Sequence, residues 1–117
     1  MKGLEGRARK FLPLSEATCL ILASLTEPRH GYGIMQDVEV VSDGRVRLGP
    51  GTLYGALTNL LRQKLIRRSG ERGAGSERRK IYALTPLGEK VLILEGERLA
   101  SLSRLASNVT RRLGGGQ

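Results

Sequence analysis

Apolar residues recur at helical spacing in three segments between residues 14 and 64, which predicts three short helices. The first follows Ser15, a typical helix N-cap, and its almost wholly apolar composition indicates a central position. The second begins at His30, which we interpret as a helix-start residue and not as a metal ligand. The third begins near Thr52, with Thr52 or a residue just before it as the cap. Its apolar face is formed by Leu53, Leu57, Leu60 and Leu61.

The opposite face of the third helix is small, polar or planar and contains no acidic residue. It consists of Thr52, Tyr54, Gly55, Thr58, Asn59 and Arg62. A helix that enters the major groove of DNA needs an apolar anchoring face and an acid-free face of donors. Tyr54 is the first candidate for a DNA contact, with packing against the neighbouring hairpin as its alternative. Thr52 is a candidate phosphate contact, and a merely solvated face is the alternative for the whole set.

Two alternating segments, residues 65–69 and 79–84, predict a β-hairpin with a flexible tip at residues 70–76. Residues 46–48 also alternate and predict one very short strand. Eight basic and two acidic residues lie between residues 62 and 80, so most of the net positive charge falls on the end of the third helix and this hairpin. The candidates for DNA contact here are Arg72, Arg78, Arg79 and Lys80. Alternation puts Arg79 and Lys80 on opposite faces of their strand.

A long final helix is predicted from the N-cap Thr85, which is followed by proline at the first helical position, to about residue 113. Its second half carries an apolar stripe with spacings of three and four residues, and such a stripe needs a partner helix. We assign the stripe to dimerisation, with packing inside one subunit as the alternative. It consists of Leu99, Leu102, Ala106 and Val109. The chain is expected to begin with a flexible basic arm (1–13) and to end in a disordered tail (114–117).

Charge and composition narrow the class of protein. A chain of 117 residues suits one domain, and a net charge of +9 with a pI near 10.6 favours a polyanionic partner. A single cysteine, Cys19, excludes an intramolecular disulfide. The absence of a leader pattern and of a bilayer-length apolar run predicts a cytoplasmic protein without a membrane partner. One histidine, and no nucleophile with a base, argue against an enzyme, and we expect no cofactor or metal.

The order of the elements predicts a mainly α fold with a small β-hairpin. Residues 14–84 form a winged helix-turn-helix domain in this interpretation, and residues 85–113 form a C-terminal dimerisation helix. The third helix then reads the major groove of double-stranded DNA, and the basic hairpin contacts the backbone or the minor groove.

Four stretches of the chain resemble the PadR family of transcriptional regulators. They are residues 30–34 (HGYGI), 48–57 (LGPGTLYGAL), 63–66 (QKLI) and 79–88 (RKIYALTPLG). The single C-terminal helix is similar to that of the short subfamily. The resemblance implies a homodimeric repressor on a pseudo-palindromic operator. It also implies release from DNA by a small apolar or aromatic effector, which in some members binds in an apolar cavity of the dimer.

Two other functions remain open from the residues alone. An RNA-binding winged helix would use the same charge and hairpin, although RNA recognition usually requires several exposed aromatic side chains, and only Tyr54 is available. A protein-interaction winged helix without DNA binding would be expected to carry acidic or large apolar residues on the third helix. That face carries neither.

Overall fold

The computed structural model describes residues 3–73 and 79–114, except for the side chain of Arg72. Residues 115–117 of the tail predicted over 114–117, residue Arg78 and part of the predicted hairpin tip lie outside the described residues. The elements in chain order are α1 (Leu4–Arg9), α2 (Glu16–Ser24), β1 (Arg29–His30), α3 (Gly31–Val41), α4 (Pro50–Arg62), β2 (Ile66–Arg72), β3 (Arg79–Leu84) and α5 (Pro86–Leu113).

Side-chain caps fix the starts of three helices. Ser15 Oγ accepts from the Thr18 amide at 3.1 Å, and His30 Nδ1 accepts from the Gly33 amide at 3.0 Å. Both residues therefore cap helices as predicted. Thr85 Oγ1 accepts from the Gly88 amide at 3.0 Å and also donates to the Lys64 carbonyl at 2.7 Å. This second bond fastens the start of α5 to the end of α4.

Helix α4 begins earlier than expected, and the capping role predicted for Thr52 is wrong. Gly49 is the N-cap and makes no side-chain capping bond. Pro50 follows it at the first helical position. The fixed φ of proline suits a helix start, and its lack of an N–H costs no hydrogen bond, because an amide at this position has no intrahelical acceptor. Thr52 consequently lies within the first turn of α4, exposed to solvent.

The sheet has three antiparallel strands in the order β1-β3-β2. The predicted hairpin of β2 and β3 is confirmed, but the strand predicted at residues 46–48 is absent. The third strand is instead β1, whose Arg29 pairs with Tyr82. A two-residue strand is too short to show an alternating pattern in the sequence. It is recognised only by its hydrogen bonds to the partner strand. A register shift between Arg68 and Gly70 interrupts β2, and Glu71 thereby comes opposite Lys80.

Helix α1 lies within the stretch 1–13 that the sequence predicted to be a flexible arm, and that prediction is wrong for Leu4–Arg9. It packs against α5, and Ala8 is completely buried there. Glu5 forms an ion pair with Arg9 at 2.7 Å and lies 3.9 Å from Lys90 of α5. The sequence concealed this helix because its buried contact is a single alanine among charged and glycine residues.

Helix α5 belongs to the core in its first half and projects from it in the second. Leu87, Val91 and Leu94 are buried in the same cluster as the apolar faces of α2, α3 and α4. Gly88 packs so closely on the segment between α4 and β2 that a Cβ atom there would overlap the carbonyl oxygen of Leu65. From residue 99 onward every described side chain is exposed.

Candidate nucleic-acid interface

Helix α4 separates an apolar face from a polar face as the sequence predicted. Leu53, Leu57 and Leu60 are at most 3% exposed and anchor the helix in the core. Leu61 is half-buried at the edge of this face. The opposite face is exposed at all six predicted positions, which are Thr52, Tyr54, Gly55, Thr58, Asn59 and Arg62. The structure thus brings the whole predicted set together on one side of one rigid helix.

Two hydrogen bonds within α4 orient three of these side chains. Arg62 Nη1 donates to Asn59 Oδ1 at 2.8 Å, so the Asn59 carbonyl oxygen is directed toward the guanidinium. Thr58 Oγ1 donates to the Tyr54 carbonyl at 2.9 Å, which holds its hydroxyl close to the helix. Donors and acceptors oriented in this way suit the edges of base pairs, because base readout depends on the direction of each bond.

Tyr54 stands over the start of α3 and is not folded into the core. The residue is 46% exposed. Its hydroxyl and the neighbouring ring carbon contact Gly31, where a Cβ atom would lie 2.7 Å from Tyr54 Cζ. Because Gly31 has no side chain, the Tyr54 ring can lie against the start of α3. Packing on the hairpin was the predicted alternative for Tyr54. Arg79 and Lys80 of the hairpin do line the same cavity as Tyr54, but Tyr54 also contacts Gly31 of α3.

The hairpin presents its basic residues close to α4. Arg79 and Lys80 are both exposed, and both line one cavity with Tyr54, although alternation had predicted opposite faces of β3 for them. The Arg79 guanidinium carbon lies 5.9 Å from the centroid of the Tyr32 ring, within the range of a cation–π contact. The backbone of Arg72 pairs with that of Arg79. The side chain of Arg72 and the whole of Arg78, also predicted as DNA contacts, lie outside the described part of the chain.

Sequence reasoning missed two residues of this surface. Tyr32, in the first turn of α3, is 52% exposed and lies under Arg79. Arg68 on β2 approaches Glu71 at 3.9 Å. Tyr32 and Arg79 are far apart in the sequence, and only the pairing of β1 with β3 brings them together. The one available signal was the position of Tyr32 directly after two helix-start residues.

Tyr82 lies beneath this surface with only 5% of its area exposed. Burial raises the pKa of its phenol above the ordinary value, because the phenolate would lose its hydration, and the nearby charge of Arg68 opposes that shift. The neutral Tyr82 hydroxyl can serve as a hydrogen-bond donor.

The predicted dimerisation stripe is exposed in the isolated chain. Leu99, Leu102 and Val109 are 42%, 51% and 44% exposed, and Ala106 is also exposed. A row of large apolar side chains in water is unfavourable by roughly 25 cal/mol for each Å². This geometry agrees with the dimerisation assignment, which stays a prediction.

A buried carboxylate connects α5 to the start of α2, and sequence reasoning did not detect it. Glu95 is 1% exposed, forms a two-bond ion pair with Arg98 at 2.7 and 2.9 Å, and accepts from the Leu14 amide at 3.0 Å. The Arg98 hydrogen bonds hold the pKa of Glu95 below its ordinary value, although burial alone would raise it. A charged residue on a helix usually indicates a solvated face, so no sequence signal distinguished this one.

Beside Glu95 lies a mainly apolar cavity of about 360 Å³ that opens next to the stripe. Leu14, Leu20 and Leu99 supply its apolar walls, and Cys19 lies between them. Burial raises the pKa of the Cys19 thiol, so it behaves as a small apolar group and not as a nucleophilic thiolate.

Across residues 3–73 and 79–114, no three His, Cys, Asp or Glu side chains are arranged to hold a metal ion. None of the helices in that part of the chain is both long enough and apolar enough to span a bilayer.

Comparison with known proteins agrees with this geometry. The model of the transcriptional regulator PadR-like family matches residues 20–93. An uncharacterized 37.1 kDa protein in transposon TN4556 of Streptomyces fradiae is 41% identical over 90 residues, or 76% of this chain. The chain spans only 24% of the length of that relative.

Solved structures show the same fold. A PadR family transcription regulator from Clostridium difficile R20291 superposes with a TM-score of 0.69 at 24% identity, covering 82% of this chain and 99% of its own. A PadR family transcriptional regulator from Eggerthella lenta DSM 2243 gives a TM-score of 0.60 at 28% identity, covering 92% of this chain and 85% of its own. The chain therefore belongs to the PadR-like family of transcriptional regulators, whose members are DNA-binding regulators and not enzymes.

Proposed function

We propose that the chain is a sequence-specific repressor that binds a pseudo-palindromic operator as a homodimer. The observation that carries the proposal is the acid-free, exposed face of α4 directly beside the basic residues of β3. In this arrangement α4 enters the major groove, where Asn59 and Arg62 face base edges. Asn suits adenine and Arg suits guanine in bidentate contacts. Arg79 and Lys80 neutralise phosphates and contribute affinity without sequence preference.

Dimerisation is proposed to occur through the exposed stripe of α5. Two copies of a stripe spaced by three and four residues pack against each other as a coiled-coil seam. A two-fold axis between the helices would place the two copies of α4 at equivalent half-sites, about one DNA turn or 34–36 Å apart. Such a dimer matches an operator with the same two-fold symmetry.

Control of repression by a small effector is the remaining part of the proposal. The cavity of about 360 Å³ beside Leu99 adjoins the proposed dimer seam. Its apolar walls suit an apolar or aromatic compound. Occupancy that shifts α5 would change the distance between the two recognition helices and thereby weaken operator binding. The regulator would act in the cytoplasm, in contact with chromosomal DNA.

The proposal is tested by binding the purified protein to the intergenic DNA upstream of its own coding gene and to a scrambled duplex, over a series of salt concentrations. We expect the operator to bind about a thousandfold or more tightly than the scrambled duplex, with affinity falling steeply as salt rises. Equal and weak binding to both duplexes would contradict operator recognition at that site. Preference for an RNA of the same sequence would favour the RNA-binding alternative.

A matched pair of variants tests the role of α4 in the same assay. Thr58→Asp places one negative charge in the centre of the acid-free face, where it would repel DNA. Ser107→Asp makes the same charge change at an exposed position of α5. We expect the first variant alone to lose operator binding. Equal losses in both variants would mean that α4 does not contact DNA.

A further inference from the structure

A second cavity lies where α3, α4 and β3 meet. Its volume is about 480 Å³, and we call it the tyrosine–arginine cavity. Tyr32 comes from the start of α3, Tyr54 from the second turn of α4, and Arg79, Lys80 and Tyr82 come from β3. Among the described residues that line it, none is acidic.

The lining chemistry selects an anion with several hydrogen-bond acceptors. Arg79 and Lys80 carry two positive charges, and both are exposed. Glu71 lies opposite Lys80 across the ladder, but its carboxylate is 3.9 Å from the guanidinium of Arg68, which offsets its charge. The Tyr54 hydroxyl adds a donor that carries no charge. A phosphate group has the negative charge and the multiple acceptor oxygens that this set requires.

The start of α3 strengthens the positive potential at the same place. Its first turn contains no acidic residue, and it contributes Gly31 to the cavity wall. The N-terminal end of an α-helix carries a partial positive charge that favours phosphate. Since Gly31 has no side chain, the Tyr54 hydroxyl lies directly on this helix end.

The position of the cavity identifies the source of the phosphate as a DNA strand. It separates α4, proposed for the major groove, from the hairpin, proposed for the neighbouring backbone or minor groove. In a duplex these two grooves are divided by one sugar–phosphate strand. If α4 and the hairpin lie on either side of that DNA strand, the protein residues between α4 and the hairpin must contact the phosphates of the strand.

The geometry points to the tyrosine–arginine cavity as a clamp for a phosphodiester of the strand between the two grooves. Arg79 and Lys80 pair with the phosphate, and the Tyr54 hydroxyl donates to it. Tyr32 is a positioning residue, because its ring holds the Arg79 guanidinium at 5.9 Å. This inference rests on the proposed DNA binding, and it adds the start of α3 to the DNA-contacting surface.

The test measures affinity for the upstream intergenic duplex and for the scrambled duplex as a function of salt. Arg79→Gln is compared with Arg104→Gln, which removes the same charge from an exposed position of α5. We expect Arg79→Gln to weaken binding to both duplexes by about tenfold, as for one lost charge-assisted hydrogen bond. The slope of log affinity against log salt should fall by about one, while the operator-to-scrambled ratio stays unchanged.

Two variants of Tyr32 test its positioning role. Tyr32→Phe keeps the ring beneath Arg79 and should retain affinity, whereas Tyr32→Ala removes the ring and should weaken binding to both duplexes alike. Wild-type protein that binds neither duplex would overturn the proposed function together with the clamp. Wild-type binding with an Arg79→Gln salt slope equal to that of Arg104→Gln would overturn the clamp alone. A changed operator-to-scrambled ratio in Arg79→Gln would likewise overturn it, since Arg79 would then contact a base.

Discussion

Gly31 and Tyr54 are in direct contact across the junction of α3 and α4, and the contact leaves no room for a Cβ atom. The phenol of Tyr54 occupies the space that any other residue at position 31 would fill. The position of the first candidate DNA contact therefore depends on a glycine in a different helix.

Replacing that glycine is expected to affect DNA binding more than folding. In Gly31→Ala the half-exposed ring of Tyr54 is pushed outward, which costs little, so the free energy of unfolding should change by less than about 1 kcal/mol. Affinity for the upstream duplex should fall. Gly33→Ala is the control, because a Cβ atom there would meet the His30 ring at an ordinary 3.5 Å. Fluorescence anisotropy and urea unfolding measure the two effects, and equal DNA affinities for both variants would refute the link.

A second glycine is expected to control stability. In Gly88→Ala the new methyl group would overlap the backbone carbonyl of Leu65, which cannot rotate away, so we expect a loss of about 2–3 kcal/mol. Gly96→Ala in the same helix has open space around it and should instead stabilise the protein by up to about 1 kcal/mol. Urea denaturation provides both values. An unchanged midpoint for Gly88→Ala would show that α5 can shift away from α4.

The dimerisation stripe is tested by placing a charge in it. Leu102→Glu would bury a carboxylate in the proposed helix pair and should give a monomer with weak operator affinity. Ala100→Glu adds the same charge on the other side of α5 and should leave the dimer intact. Sedimentation velocity reports the mass of each species. An intact Leu102→Glu dimer would mean that the subunits meet elsewhere.

The buried ion pair predicts how stability changes with pH. Because the pKa of Glu95 is lowered in the folded chain, its ionised form stabilises the fold above the ordinary value of 4.5. This contribution is lost as the pH falls below that value and through the folded pKa. Glu95→Gln should lower the free energy of unfolding at pH 7 by about 1–3 kcal/mol, since the partly exposed Arg98 can regain water.

The same variant should also flatten the acid side of the stability curve. Urea unfolding from pH 7 to pH 3 gives the slope for the wild type, for Glu95→Gln and for Glu97→Gln, a control at an exposed position nearby. A shallower slope in Glu95→Gln alone is the expected result. Identical slopes in wild type and Glu95→Gln would show that other carboxylates dominate acid unfolding.

The sequence predicts the parts of this fold that depend on local chemistry. Ser15 and Thr85 cap their helices because a side-chain oxygen at that point satisfies a free amide, and the apolar face of α4 follows from spacing alone. The exposed polar face of α4 follows from the same spacing. These features require no knowledge of what the helix packs against.

The remaining features depend on contacts between distant segments. Helix α1 packs through Ala8, a residue without a strong apolar signal, and β1 exists only because β3 lies beside it. The contact of Tyr32 with Arg79 requires that pairing as well. Glu95 is buried because the Leu14 amide, 81 residues away in the chain, approaches it.

The bond between Glu95 and Leu14 limits how the protein can be divided. A fragment that stops at Leu84 would retain every proposed DNA contact, yet it would lose Leu87, Val91 and Leu94 from the core and leave the Leu14 amide without its acceptor. Truncation at Leu84 therefore cannot yield a folded monomer that binds a single operator half-site. Such a molecule must keep α5 through Arg98 and be made by polar substitutions farther along the helix.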